Sequence, residues 1–401
     1  MKSHASSPPG MFTLILLTSL ALLSLNMFLP SLAHMAEAFG VEYAVITWSI
    51  SGYLLVTAVV QLIVGPLSDR YGRRPVMLGC LAVFVLASLG CLVASNIWVF
   101  LFFRVLQGTI IAGAVLAPAV IRDTRPAQES ASLMGYVSMA IAIAPMTGPM
   151  IGGVIDEVVG WRGSFAVFAG LGTLLFVVCW FDMGETNETP SETFYKQFKD
   201  YPVLFQSRRF WGYSLCISLS VGAFYAFLAG APFVTKTLFA MPTSELGFYL
   251  GTISIGYFIG SYLSGRFSSN HDLTTIIIYG RLAACFGLVA GLVLLLCGYV
   301  NVISLFGATM FVGLGNGLTR PGCSVGVMSV RPGLAGSASG LMGALQVGLG
   351  AIITTITTAA LTPAHGAYEL LGIMLFFSFL GLVSVLYVVW VNQREPLPGG
   401  V

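Results

Sequence analysis

The stretch Gly65-Pro66-Leu67-Ser68-Asp69-Arg70-Tyr71-Gly72-Arg73-Arg74 lies between two long apolar runs and carries four charged side chains within six positions. Charged residues make up only 8% of the chain, so this cluster stands out. Because proline lacks an amide donor and clashes inside a helix, we predict that Gly65 and Pro66 end the preceding helix. Gly72 should form the turn, and Pro75 should take the first position of the next helix. The stretch is therefore predicted to be a short charged loop between two helices.

The composition indicates a membrane protein. Of the 401 residues 57% are hydrophobic, whereas soluble domains have roughly 45–50%. The net charge of +2 is small and dispersed, so we expect no nucleic-acid partner. The seven cysteines all fall in apolar runs without Cys-x-x-Cys spacing, which favours packing roles over metal or disulfide roles.

Twelve apolar segments are long enough to cross about 30 Å of hydrocarbon as helices. They cover residues 11–33, 44–66, 75–94, 98–121, 131–154, 161–181, 210–233, 245–266, 274–297, 301–328, 335–360 and 367–391. The polar connector 182–209 separates six spans from six. We therefore predict an all-α integral membrane protein with an N-terminal six-helix bundle (1–181), a cytoplasmic linker (182–209) and a C-terminal six-helix bundle (210–401).

The basic residues predict the orientation. With both termini cytoplasmic, 13 of the 18 Lys and Arg residues lie on the inner side and only Arg162 and Lys236 lie outside. The other three, Arg104, Arg281 and Arg320, lie within or at the ends of spans. Such a bias follows the positive-inside rule and predicts a multi-pass protein of a bacterial-type inner membrane.

The two halves also repeat. Leu263-Ser264-Gly265-Arg266 after the eighth span echoes Leu67-Ser68-Asp69-Arg70 after the second, at an offset of 196 residues. Gly113-Ala114-Val115-Leu116-Ala117-Pro118 in the fourth span likewise parallels Asn316-Gly317-Leu318-Thr319-Arg320-Pro321 in the tenth. Paired repeats of this kind predict two related bundles around a central cavity, with substrate bound near the membrane midplane.

Three stretches carry a resemblance to a known family. The opening stretch contains Gly-x-Leu-Ser-Asp-Arg-x-Gly-Arg-Arg, the fourth span contains Arg104-Val105-Leu106-Gln107-Gly108, and the fifth contains Gly148-Pro149-Met150-Ile151-Gly152-Gly153. Together they resemble the major facilitator superfamily, and within it the Bcr/CflA group of drug-resistance transporters. The resemblance covers nearly the whole chain and implies a twelve-span drug:proton antiporter.

The resemblance also implies a conformational switch. Asp69 would hold the cytoplasmic ends together by reaching the N-terminal end of the eleventh helix, where a carboxylate gains roughly 0.3–1 kcal/mol from the helix dipole. Arg70, Arg73 and Arg74 would pair with acids or lipid phosphates. The fifth-span motif would join the switch, although its small residues also suit ordinary helix packing. The predicted switch residues are Gly65, Asp69, Arg70, Gly72, Arg73, Gly148, Pro149, Gly152 and Gly153.

Two departures from the family pattern concern charge. Members usually carry Asp in a first-span stretch resembling Asp-Met-Tyr-Leu-Pro, but this chain has Asn26-Met27-Phe28-Leu29-Pro30. Arg320 stands in the tenth span where relatives have an apolar residue. Both changes make the cavity more positive, so an anionic cargo with Arg320 as its main charge contact is one hypothesis. The alternative is that Arg320 reaches the cytoplasmic headgroups.

The remaining candidates for the cavity are polar or aromatic side chains within spans. Arg104 is as well suited to bonding carbonyls of the first helix as to contacting a ligand. Phe224 and Tyr225 suit either an aromatic wall or packing. The candidate cavity residues are Asn26, Arg104, Gln107, Phe224, Tyr225, Asn316, Arg320 and Gln346. None of the 16 acids and four histidines lies well inside a predicted span, so no proton-coupling group is evident.

We therefore predict a gradient-driven secondary transporter that exports small amphiphilic compounds by alternating access. The alternative is the same fold carrying an organic anion, such as a carboxylate-bearing metabolite or siderophore, for export or uptake. An intramembrane enzyme would need clustered His, Asp or Glu inside the spans, so no catalytic site is predicted. We expect a monomer among membrane lipids, with a small-molecule substrate, protons as the candidate coupling ion, and neither cofactor nor metal.

Overall fold

The computed structural model describes residues 9–124, 144–145, 147–187, 201–267, 272–331 and 334–394. All regular structure within these ranges is helical. Many large apolar side chains, such as Leu86, Val93, Phe258 and Phe286, are exposed on the helix surfaces. Helices that are apolar on their outer as well as their inner faces are typical of membrane spans.

The first part of the chain forms nine helices among the described residues. These are α1 (Met11–Asn26), α2 (Leu32–Phe39), α3 (Tyr43–Ile46), α4 (Trp48–Tyr71), α5 (Arg73–Val93), α6 (Ile97–Gln107), α7 (Ile111–Thr124), α8 (147–159) and α9 (Arg162–Asp182). Short 3-10 turns at Leu29–Ser31 and Gly108–Ile110 join α1 to α2 and α6 to α7. Each of these joined pairs makes one long span.

The second part contributes seven further helices among the described residues. These are α10 (Tyr201–Phe205), α11 (Arg208–Phe239), α12 (Thr243–Phe267), α13 (Leu273–Leu296), α14 (Val302–Ser329), α15 (Ala335–Ala360) and α16 (Gly366–Arg394). The longest, α11, extends beyond the end of the predicted seventh span at residue 233.

Eleven helical stretches within the described ranges are long and apolar enough to cross a membrane. Each coincides with one predicted span. The predicted fifth span, 131–154, lies mostly outside the described residues, and its described end continues to residue 159 in α8. The prediction of an all-α multi-pass protein is confirmed, and the span count is consistent with twelve.

The prediction that Gly65 and Pro66 end a helix is wrong. Both lie inside α4, which continues to Tyr71, and the next helix already begins at Arg73. Proline is tolerated inside membrane helices because neighbouring groups satisfy the freed backbone. The carbonyl that Pro66 leaves without its helical amide donor is that of Leu62, whereas the nearby Ser68 hydroxyl donates to the Gly65 carbonyl at 2.8 Å. Only Gly72, with a φ of 99°, forms the turn, and Pro75 lies in the first turn of α5 rather than at its first position.

The chain divides into two compact units. One comprises Met1–Lys196 with Pro242–Phe248, and the other comprises Gln197–Met241 with Tyr249–Val401. In the first unit α5 packs against α6 and α9, and α1 packs against α7 and α9. In the second unit α13 packs against α14 and α16, and α11 packs against α15 and α16. Each unit therefore has its own interior.

Candidate functional site

Arg104 lies at the centre of a polar cluster inside the first unit. Its side chain is completely buried, and three of its nitrogens donate hydrogen bonds. Nε donates to the Ser49 carbonyl at 3.2 Å, Nη2 to the Ser24 carbonyl at 2.7 Å, and Nη1 to Gln107 Oε1 at 2.7 Å. One guanidinium thus joins α6 to α4 and α1. This geometry supports the structural alternative stated above for Arg104.

Two aromatic rings enclose the same guanidinium. Its central carbon lies 4.2 Å from the centroid of the Phe28 ring and 4.3 Å from that of Tyr53. The Tyr53 hydroxyl lies 2.6 Å from Ser24 Oγ. Cation–π contacts stabilise a desolvated cation, by about 2 kcal/mol in favourable cases. Arg104 is therefore held by carbonyls, an amide and two rings.

Gln107 extends the cluster to α5. Its Nε2 donates to Ser88 Oγ at 2.7 Å, and Ser88 donates to the Phe84 carbonyl at 2.7 Å. The side-chain oxygen of Gln107 therefore accepts from Arg104, and its side-chain nitrogen donates to Ser88. The arginine and glutamine of the fourth-span motif thus act together, in agreement with their spacing of three residues.

Asn26 occupies the point where the first span changes direction. It is the last residue of α1, and its Nδ2 donates to the Leu22 carbonyl at 2.8 Å. Its Oδ1 is buried and has no hydrogen-bond partner among the described residues. A methyl group added at Gly148 would lie 3.4 Å from the Asn26 Cβ, so α8 passes directly beside this residue.

The glycines of the fifth-span motif face two different helices. A Cβ at Gly152 would overlap the carbonyl oxygen of Met27, directly after α1. A Cβ at Gly153 would overlap the backbone of Thr243, at the start of α12. Gly247, one turn along α12, similarly has no room for a Cβ beside the Pro149 carbonyl. The motif therefore permits backbone-to-backbone contact on both sides of α8.

A second buried arginine, Arg281, lies inside the other unit. Its Nε donates to Thr319 Oγ1 at 2.9 Å and its Nη2 to Asn316 Oδ1 at 2.9 Å, whereas Nη1 has no hydrogen-bond partner among the described residues. Asn316 Nδ2 donates to the Ser220 carbonyl at 3.3 Å. The sequence analysis missed Arg281 as a site residue, although an arginine within an apolar run was the available signal.

The other predicted cavity residues of the second unit are dispersed. Asn316 bonds Arg281, whereas Arg320, one turn further along α14, is exposed. Tyr225 packs against Gly350 of α15, where an added Cβ would touch its ring. The Phe224 and Tyr225 ring centroids are 5.8 Å apart, and Gln346 is buried. Asn316 thus joins the charged cluster of Arg281.

The charged stretch at the end of α4 is organised by ion pairs. Asp69 pairs with Arg73, and the Arg70 guanidinium lies over the Tyr71 ring. Glu185, in the connector after α9, accepts the Arg73 amide at 2.8 Å and the Arg74 amide at 3.3 Å. A carboxylate at this position stabilises the N-terminus of α5. The sequence analysis had not singled out Glu185.

No metal centre is evident in the described part of the chain. Within the described ranges, no three His, Cys, Asp or Glu side chains come together in a way that could hold a metal ion. All seven cysteines, which the structure describes, are free thiols.

Two all-helical units, a buried Arg-x-x-Gln-Gly cluster and a glycine-lined fifth span define a secondary transporter of the alternating-access class. Residues 14–355 match the family model of the Major Facilitator Superfamily, and the chain belongs to this family. The family is one of transporters rather than enzymes.

Relatives of known name agree with this assignment. The chain is 30% identical over 359 residues to an uncharacterized MFS-type transporter, YdgK, of Bacillus subtilis, covering 86% of this chain and 87% of that protein. It is 32% identical to a chloramphenicol resistance protein of Pseudomonas aeruginosa, over 69% of this chain and 65% of that protein. It is 27% identical to multidrug resistance protein D of Escherichia coli, over 93% of both.

The fold is also shared with solved structures. A bacterial homolog of the human lysosomal transporter Spinster, in an inward-facing and unoccupied conformation, matches 96% of both chains with a TM-score of 0.74 at 15% identity. At that identity the match supports the fold alone. The family model and the named relatives confirm the sequence-based resemblance to this superfamily and its drug-resistance group.

Proposed function

We propose that this protein exports small amphiphilic compounds across a bacterial inner membrane in exchange for protons, without changing them chemically. The observation that carries the proposal is the similarity over 93% of the chain to a multidrug resistance protein. The packed Gly-Pro-x-x-Gly-Gly stretch of α8 supports it, since this pattern resembles that of the superfamily's antiporters. The proposal includes a monomer with both termini cytoplasmic, bundles at 1–181 and 210–401, and the connector 182–209.

The anionic cargo is the weaker hypothesis. It depended on Arg320 and Asn26, and the resistance proteins among the relatives do not favour it. The exposed position of Arg320 is equally suited to contact with lipid headgroups. We still propose that the predicted cavity residues contact the substrate, and mutagenesis can test this. Asn26 is the first choice because its buried Oδ1 has no partner in the described ranges.

Transport by the purified protein tests the proposal. The full chain is reconstituted in liposomes with an imposed pH gradient, and movement of a lipophilic cation, a neutral amphiphile and an amphiphilic carboxylate is followed. We expect gradient-driven transport of the first two, abolished by a protonophore. Thermal stabilisation of the detergent-solubilised protein by the same three compounds reports binding without transport. Transport and stabilisation by the carboxylate alone would contradict the proposal and favour an anion carrier.

A further inference from the structure

A histidine and a buried carboxylate meet at one end of the first unit. His34 lies on α2 and Asp156 lies near the end of α8, 122 positions away, with His34 Nδ1 only 2.7 Å from Asp156 Oδ2. The Asp156 side chain is 1% exposed, whereas that of His34 is 49% exposed. The carboxylate is therefore enclosed by protein and connected to the surface through the imidazole.

The carboxylate of Asp156 is only partly satisfied. Its Oδ1 is buried and has no hydrogen-bond partner among the described residues. Burial disfavours the charged form of a carboxylate, and an unpaired buried oxygen makes that form still less stable. The pair thus combines a half-exposed imidazole ring with a buried carboxylate oxygen that has no partner in the described ranges.

We propose that His34 and Asp156 form a proton-binding site whose occupancy controls the contact between α8 and the first turn of α12. Without the added proton the pair is a neutral imidazole and a carboxylate, with a total charge of −1. One proton from water adds to the other imidazole nitrogen. The proton on Nδ1 either stays on the imidazole, hydrogen-bonded to Asp156 Oδ2, or moves to that oxygen. The loaded pair has a total charge of zero, and no other bond forms or breaks.

Glu157 connects this site to α12. Its Oε1 accepts the Ser244 amide at 3.0 Å, in the first turn of that helix. Next to it, Thr243 Oγ1 donates to the Gly153 carbonyl at 3.3 Å. In the unloaded state Asp156 and Glu157 are adjacent carboxylates that repel each other, and in the loaded state His34 offsets their charge. Proton uptake therefore strengthens the contact between α8 and α12.

Glu157 keeps its charge while the pair takes up a proton. The hydrogen bonds from Ser244 and the charge of His34 hold the pKa of the Glu157 carboxyl below its ordinary value. A group whose pKa is lowered on folding stabilises the fold above its unfolded pKa and loses that contribution as pH falls through its folded pKa. Glu157 therefore stays charged, and keeps its bond to Ser244, down to a lower pH than a glutamate with an ordinary pKa would.

Other ionisable side chains lie on the elements around the pair. These are Glu37 on α2, Glu42 before α3, Arg162 at the start of α9 and Glu245 beside Ser244 on α12. Arg162 donates to the Ala94 carbonyl at 3.0 Å and lies over the Trp161 ring.

This inference rests on the proposed function, because it names the group that would carry the exchanged proton. The predicted topology places the pair outside, where protons would enter during export. The sequence analysis had placed all acids and histidines outside the span interiors, and only the structure shows that Asp156 is nevertheless buried.

Distance measurements within the first unit test the site. Spin labels are attached at Val158→Cys in α8 and Phe248→Cys in α12, in a Cys297→Ser background, and the purified full chain is titrated between about pH 5 and 8, where histidine changes charge. We expect a shorter distance at low pH. Asp156→Asn should keep the short distance throughout, because an amide imitates the protonated acid. His34→Gln should weaken or abolish the pH-dependent change in distance, because the imidazole that takes up the proton is removed.

His365→Gln is the matched control, because His365 is an exposed histidine of the other unit and should leave the titration unchanged. A wild-type titration retained in both Asp156→Asn and His34→Gln would overturn the proposal. If Asp156→Asn does not fold, an unchanged titration of His34→Gln is by itself enough to overturn the proposal. Transport by the wild type separates the two ideas: pH-dependent distances without drug export would contradict only the proposed function. Export with unaltered pH dependence in Asp156→Asn would contradict only the proton site.

Discussion

Arg104 and Arg281 show at the residue scale how this protein keeps positive charge inside apolar units. Each is completely buried, and each donates to uncharged oxygens of neighbouring helices. Hydrogen bonds from a charged donor stabilise by about 1.5–3 kcal/mol each, which offsets part of the cost of removing the cation from water. The two arginines thus hold neighbouring helices together through hydrogen bonds to uncharged oxygens, although a buried arginine would be expected to form a salt bridge.

Replacing Arg104 should destabilise the protein more than replacing Arg320. Arg104→Ala removes three hydrogen bonds and two ring contacts and should cost at least about 2 kcal/mol of unfolding free energy. Arg104→Lys should recover little, because an ammonium lacks the planar fork. The exposed Arg320→Ala is the matched control, with an expected change within about 0.5 kcal/mol. Thermal unfolding in detergent measures both, and equal losses would contradict the enclosed role of Arg104.

At the scale of elements, the helices approach each other closely where glycine removes the side chain. α8 contacts the end of α1 through Gly152 and the start of α12 through Gly153. Gly65 lies inside α4 with no atom near its missing Cβ. The same residue type therefore has opposite consequences, because a packed glycine permits contact and an unpacked one only adds backbone freedom.

Alanine substitutions should separate these two kinds of glycine. Gly152→Ala puts a methyl group onto the Met27 carbonyl and should cost about 1–3 kcal/mol or more. Gly65→Ala meets no atom within 4 Å and should stabilise α4 by roughly 0.5–1 kcal/mol. Thermal unfolding of both variants is the measurement. Destabilisation by Gly65→Ala would indicate that its flexibility is needed, as the predicted switch role requires.

At the scale of the whole molecule, orientation in the membrane is the property to establish. Cys297, directly after α13, is exposed, whereas the other six cysteines, all described by the structure, are buried or half-buried. The predicted topology puts Cys297 outside and the end of α4 inside. The chain thus carries its own label site for the outer face.

Labelling with a membrane-impermeant maleimide should therefore depend on the side. Wild-type protein in intact cells should be labelled at Cys297, and Cys297→Ser should abolish the signal. Tyr71→Cys in the Cys297→Ser background lies on an exposed position of α4 and should react only after the cells are permeabilised. Reaction of Tyr71→Cys in intact cells at the rate of Cys297 would overturn the orientation.

The sequence by itself determined the class of protein, its spans and the drug-resistance group it resembles. Apolar segments of membrane length and short motifs such as Arg104-x-x-Gln107 are local features, so they can be read without contacts. It also left a structural role for Arg104 open beside contact with a ligand, and the bond to the Ser24 carbonyl of α1 supports the structural role.

Only the tertiary structure decided which side chains are enclosed and what they touch. The local rule for proline misplaced the end of α4, because one proline removes a single amide donor and α4 continues through Pro66 to Tyr71. Asp156 lies outside the span interiors in sequence, yet it is buried and His34 of α2 contacts its carboxylate. Contacts across more than 100 positions, like Glu185 with Arg73, depend on how the helices pack and leave no trace in local composition.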